Sequence, residues 1–119
     1  VDVNPPQVPQ RWAELPYWRL RVGDDMAPET RAWAPAELDV LFIDTSHHYE
    51  HTLAELRTYA PRVKPGGVIL LHDTEVINAG LDDPYPVTRA LNAYCAAAGL
   101  TWENRQGCYG LGVLEMPAA

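Results

Sequence analysis

Two aspartates and a histidine carry the clearest chemical signal in the sequence. Asp44 closes the apolar run Val40-Leu41-Phe42-Ile43, and Asp73 follows the run Val68-Ile69-Leu70-Leu71-His72. Short, wholly apolar runs of this kind are strands covered on both faces, as in parallel sheets. Ligands of open α/β sheets bind beyond the carboxyl ends of the strands. Neighbouring strands lie roughly 4.8 Å apart, so two carboxylates at adjacent tips can converge on one cation or on one substrate. Oxygen donors suit magnesium, calcium or manganese. Alone, each aspartate is more simply a turn or helix cap; the pair points to a shared site.

His47 lies three residues after Asp44, on the same rim. An imidazole there can serve as a general base, because the ordinary histidine pKa of about 6.5 lies near working pH. His47 and His51 are one helical turn apart, which is also metal-ligand spacing, but the string His47-His48-Tyr49-Glu50-His51 is not H-E-x-x-H. His48 and His51 read as a solvated helix face. His72 reads as a hydrogen-bonded structural residue or a partner of a ligand. Asp2, Asp24 and Asp25 each end a strand-like run on this rim, where an acid can accept both hydroxyls of a ribose, and Met26 can pack against a base. Ordinary turn chemistry is the competing reading. Gly107, Gly110 and Gly112 sit in a hairpin and do not form G-x-G-x-x-G; they read as close-packing residues. Cys95 and Cys108 have no neighbouring base, so neither is taken as a nucleophile.

The elements that must position these groups follow from pattern. Tyr17 to Val22 is a β-type run stopped by Gly23-Asp24-Asp25, and Pro28 to Ala34 is a short helix with Pro near its start. His47 to Val63 is helical, with Tyr49, Leu53, Leu56, Ala60 and Val63 on one face and Ser46 as N-cap. Pro65-Gly66-Gly67 is a tight turn. Thr74 to Tyr85 is a polar loop. Pro86 to Ala98 is a second helix, stopped by Gly99. Thr101 to Arg105 and Tyr109 to Glu115 form an antiparallel hairpin. The order is strand, short helix, strand, short helix, strand, helix, strand, helix, hairpin. That alternation gives an α/β fold with a mostly parallel sheet, helices on both faces and right-handed crossovers.

Composition narrows the function classes. The 119 residues hold 9 Lys+Arg against 16 Asp+Glu, a net charge of -7, which counts against nucleic acid and anionic membranes as partners. A hydrophobic fraction of 47% argues against disorder. No apolar run approaches the roughly 20 residues of a membrane span, and no signal segment opens the chain. Two cysteines do not make a disulfide framework, so a cytoplasmic setting is expected. The chain begins with Val inside what reads as a strand end, so a fragment of a larger protein is expected.

The motifs Leu38-Asp39-Val40-Leu41-Phe42-Ile43-Asp44, Ser46-His47, Tyr49-Glu50 and Val63-Lys64-Pro65-Gly66-Gly67-Val68-Ile69-Leu70-Leu71-His72-Asp73 resemble class I S-adenosylmethionine-dependent methyltransferases. Within that family the motifs resemble the branch of cephalosporin-hydroxylase-type and macrolide-sugar O-methyltransferases. The resemblance covers nearly the whole chain. It implies one partial domain over residues 1–119, a Rossmann-like sheet lacking the family's first strand and glycine-rich loop. It implies O-methylation of a small molecule, of sugar or natural-product type. Asp2, Asp24, Asp25 and Met26 would bind S-adenosylmethionine, Asp44 and Asp73 would hold Mg2+ or another divalent cation, and His47 would deprotonate the acceptor hydroxyl. Thr45-Ser46 and Thr74 depart from the pattern, removing potential acidic ligands. The expected partners are a small-molecule acceptor and either a second copy or the missing N-terminal part. Two alternatives compete: a catalytically silent binding or assembly module of the same fold, and a metal-dependent hydrolase using Asp44, His47, His51 and Asp73.

Overall fold

The structure is a computed structural model describing residues 1–4, 6–77 and 84–119. The chain divides into two compact units, Val1–Pro35 and Ala36–Ala119.

In the first unit, α1 spans Gln10–Ala13 and α2 spans Pro28–Trp33, with Pro28 in the first turn as the sequence indicates. The Tyr17 to Val22 run is not a strand. It pairs at one point, a parallel bridge between Asp2 and Val22, with Asp2 N donating to the Arg21 carbonyl and Gly23 N to the Asp2 carbonyl. β-propensity alone does not make a strand: the ladder needs partner backbone on at least one side. The guanidinium of Arg19 instead lies over the Trp33 ring at 4.6 Å, and that of Arg21 donates to the buried Thr30 hydroxyl.

The second unit is a four-stranded sheet with two helices. β1 is Leu38–Ile43, α3 is Tyr49–Tyr59, β2 is Val63–His72, α4 is Pro86–Ala98, β3 is Glu103–Arg105 and β4 is Leu111–Glu115. The strand order is β1-β2-β4-β3; β1 and β2 are parallel, and β4 is antiparallel to both β2 and β3. One of the three pairings is parallel and two are antiparallel, so the sheet is mixed, with the C-terminal antiparallel hairpin that the pattern implies.

Within this unit, α3 and α4 do not flank both faces of the sheet. Ile43 pairs with Leu71 and Ile69 with Leu114, and these four pack with Leu53 and Leu56 of α3 and with Ala90, Leu91 and Cys95 of α4 in one core. Both crossovers, β1 to β2 and β2 to β3, advance in the same direction across the sheet. Right-handed connections then place both helices on the same side. The other face carries Val40 and Phe42, 53% and 57% exposed, so β1 is covered on one face and not on two. No described strand pairs with the outer edge of β1.

Boundaries shift where backbone geometry overrides pattern. α3 starts at Tyr49 because His47 is left-handed, at φ 59°, and cannot be helical; His48 is the N-cap, and Ser46 Oγ accepts from His48 N. Pro61 converts the final turn to a 3₁₀ helix, Ala60–Arg62. Pro65-Gly66-Gly67 is an irregularity inside β2 and not a separate turn: Leu38 opposes Val63, yet Val40 opposes Val68. A Cβ on Gly67 would lie 2.7 Å from the Asp39 carbonyl, so glycine alone lets β1 approach there. α4 has the expected bounds, with Gly99 left-handed at its end and Leu100 N reaching the Cys95 carbonyl. The predicted Thr74 to Tyr85 loop lies partly outside the described residues. No helix among the described residues is long and apolar enough to cross a membrane.

Candidate functional site

The β1–β2 parallel pair brings Asp44 and Asp73 to one rim, and the segment between β1 and α3 brings His47 to them. His47 Nε2 lies 2.6 Å from Asp73 Oδ2 and 3.7 Å from Asp44 Oδ1. Asp73 is buried, whereas Asp44 is exposed and His47 half-buried. The expected trio is therefore assembled, with ligand atoms within 4.8 Å of one another. The His47 Nε2 atom is sealed from solvent yet makes no aligned hydrogen bond among the described residues. An orphaned buried nitrogen beside two carboxylates is the donor set that a divalent cation satisfies.

His72 faces the same two carboxylates. Its Nδ1 lies 3.1 Å from Asp73 Oδ2 and 3.7 Å from Asp44 Oδ1, and its Nε2 lies 2.7 Å from the Cys108 carbonyl. That carbonyl raises the His72 pKa above 6.5; burial opposes the shift, and the charges of Asp73 and Asp44 add to it. The hydrogen bonding expected of His72 is thus seen, and its second nitrogen faces the carboxylates directly.

Sequence reasoning missed the support of this rim. The β3–β4 turn lies at the same end of the sheet because β3 runs parallel to β2. Gly107, Cys108, Tyr109 and Gly110 all have positive φ. Their backbone clamps the residues after β2: Asp73 N donates to the Gly110 carbonyl, Glu75 N to the Tyr109 carbonyl, and Gly107 N to Glu75 Oε1. Thr74, fully buried, donates to Asn104 Oδ1 at 2.5 Å. Gly110 and Gly112 are close-packing positions as expected, but Gly107 has nothing near its would-be Cβ and serves the turn through its φ of 94°. His47 and Asp73 are themselves left-handed, a costly conformation for non-glycine residues that gathers at functional sites. The G-x-x-G spacing from Gly107 to Gly110 was the available signal.

Glu55 was also missed. It is fully buried on α3, accepting from Thr45 Oγ1 at 2.9 Å and lying 3.0 Å from His51 Nε2. His51 is consequently turned to Glu55 and is not a member of the Asp44, His47 and Asp73 group, which removes one of the four ligands of the hydrolase reading. His48 is exposed, as its solvated-face reading requires.

In the first unit, the bridge sets Asp2 beside Val22 and Gly23, so the Asp2 and Asp24 tips are adjacent in the fold. One oxygen of each serves a local turn: Asp2 Oδ1 accepts from Asn4 N and Asp24 Oδ1 from Met26 N. A carboxylate has about four acceptor positions, so each keeps capacity for a ligand. Asp25 and Met26 are half-buried.

A family model described as a methyltransferase domain matches residues 1–74. Among solved structures, the chain is similar to the O-methyltransferase NovP, at 22% identity and TM-score 0.55, covering 69% of this chain and 31% of that one. It is similar to an O-methyltransferase family protein from Burkholderia thailandensis, at 16% identity and TM-score 0.51, covering 75% and 33%. A methyltransferase from Pyrococcus furiosus aligns at 14% identity and TM-score 0.50, covering 72% and 44%. The chain thus spans less than half the length of these structures, and the likeness is one of fold. No curated protein matches it. With the family model matched over more than half of its residues, the chain belongs to the methyltransferase domain family.

Proposed function

We propose that this domain serves an S-adenosylmethionine-dependent O-methyltransferase acting on a hydroxyl of a small molecule, of sugar or natural-product type. The observation that carries the reading is the convergence of Asp44, His47 and Asp73, with His47 Nε2 2.6 Å from a buried carboxylate. A hydroxyl is a weak nucleophile until its proton has somewhere to go. The His47 imidazole takes that proton, and Asp73 stabilises the imidazolium that results. Asp44 and Asp73 would hold Mg2+ or another divalent cation, which would supply electrostatic stabilisation of the developing alkoxide. Asp2, Asp24, Asp25 and Met26 bind the cofactor, whose sulfonium brings an already activated methyl group. The acceptor oxygen gains the O–C bond as the S–C bond breaks, so alignment is the main task left to the protein. The partners are the acceptor and either a second copy or an N-terminal segment of the same protein, in a cytoplasmic setting.

The test is methyl transfer from labelled S-adenosylmethionine to a panel of hydroxylated acceptors. Asp44→Ala, Asp73→Ala and His47→Ala are each expected to lower turnover by about 10²-fold or more. Undiminished turnover in all three would remove the site.

The turn-capping bonds of Asp2 and Asp24 favour a second reading, a silent binding module of the same fold. Calorimetry with S-adenosylmethionine separates the two, since tight binding counts against the silent module.

A further inference from the structure

We propose that His72, through Nδ1, is a nitrogen donor to the cation held by Asp44 and Asp73, and that the rim is consequently a site for a first-row transition-metal dication in preference to Mg2+. The inference rests on the cation site of the preceding reading, though not on methyl transfer itself.

The ring orientation carries the argument. Nε2 of His72 is 2.7 Å from the Cys108 carbonyl, which can only accept, so Nε2 bears a hydrogen. In the neutral ring this leaves the Nδ1 lone pair, and Nδ1 faces Asp73 Oδ2 at 3.1 Å and Asp44 Oδ1 at 3.7 Å. A lone pair aimed at two carboxylate oxygens is repulsive, so Nδ1 there carries either a proton donated to Asp73 or, in its place, a metal dication shared with the two carboxylates. A ligating histidine typically donates its other N–H to a backbone carbonyl or a carboxylate, which fixes its tautomer. The left-handed backbone of Gly107 to Gly110 presents the Cys108 carbonyl, and the Gly110 carbonyl ties down Asp73, so the same turn sets both donors.

His47 Nε2 faces the same two oxygens from another side, at 2.6 and 3.7 Å, buried and without an aligned hydrogen bond. Two imidazole nitrogens therefore look onto two carboxylate oxygens. Mg2+ favours oxygen ligands and retained water, whereas imidazole nitrogen shifts preference towards manganese, iron, cobalt and zinc.

Manganese is the practical probe. Mn2+ is titrated into the protein by continuous-wave electron paramagnetic resonance, with Mg2+ as competitor, and pulsed spectra of the bound ion report directly coordinated nitrogen. The expected results are Mn2+ affinity at least about tenfold above that for Mg2+, and nitrogen coupling in the wild-type spectrum. His72→Gln should weaken Mn2+ binding about tenfold, leave Mg2+ within twofold and remove the His72 share of the coupling. Bound Mn2+ without nitrogen coupling overturns the proposal while leaving a carboxylate cation site standing, even where the variant does not fold. Coupling unchanged in folded His72→Gln, as judged by circular dichroism, overturns it too, because the nitrogen is then from His47. If neither ion binds, the cation reading fails and this one with it. None of these readouts depends on methyl transfer.

Discussion

Substituting alanine at Gly110 and at Gly107 separates two costs that usually arrive together. Both glycines are left-handed, at φ 86° and 94°. A Cβ at Gly107 meets nothing within 4 Å, whereas one at Gly110 would collide with Thr74 Oγ1 and lie 2.7 Å from Glu75 Cγ and 2.9 Å from Glu75 N. Gly107→Ala therefore carries only the conformational cost, about 1–2 kcal/mol. Gly110→Ala carries that cost plus displacement of a buried side chain. Moving Thr74 breaks its bond to Asn104, worth about 0.5–1.5 kcal/mol, and crowding in packed surroundings adds about 1–3 kcal/mol. We expect roughly 1 kcal/mol for Gly107→Ala and at least about 3 kcal/mol for Gly110→Ala. In urea unfolding the two midpoints should differ by about 0.7–2 M at similar slope, given slopes of roughly 1–3 kcal/mol/M. Because the Gly110 carbonyl holds Asp73 N, the Gly110 variant should also perturb the Asp73 amide resonance. Equal destabilisation by the two substitutions would refute the close approach of the hairpin turn to the residues after β2.

Other consequences can be checked separately. Burial raises the Cys95 thiol above its ordinary pKa of 9.0, so an aromatic disulfide reagent at pH 8 should label exposed Cys108 promptly and Cys95 only on unfolding. The sign for stability follows: the folded chain keeps the Cys95 proton longer than the unfolded chain, so this contribution is intact below pH 9 and declines as pH rises through the folded value, which an unfolding series with Cys95→Ala as control would detect. Leu56→Ala, at a fully buried position on α3, should cost about 2–5 kcal/mol by denaturant unfolding. Glu55→Ala should loosen the segment after β1 by removing the acceptor of Thr45 and shift the His47 ring resonances, while Glu55→Gln, which keeps an acceptor oxygen, should largely restore them.

The parts of the fold legible from residues alone were those set by strong local pattern. α4 was defined by its apolar face, its proline start and its glycine stop. β1, the Val68–Leu71 run and the parallel pairing that joins Asp44 to Asp73 followed from two apolar runs flanking an amphipathic helix. The segment Tyr17 to Val22 was misread because its composition favours β-structure but says nothing about the neighbouring backbone it would need. The start of α3 was misplaced because a left-handed His47 leaves no mark in periodicity. The tertiary partners of His72, Thr74 and Glu55 were equally invisible. They depend on which end of the sheet the β3–β4 turn occupies and on which helix face turns inward, and both are settled by topology.

The outer edge of β1, with which no described strand pairs, bears on how the molecule behaves in concentrated solution. Val40 and Phe42 stand exposed beside that edge, which is a template for strand-on-strand stacking between molecules. Stock solutions should accordingly turn turbid at a concentration ceiling set by this seam. Val40→Lys would raise that ceiling without touching the core, because the exposed side chain there projects from the face opposite α3 and α4.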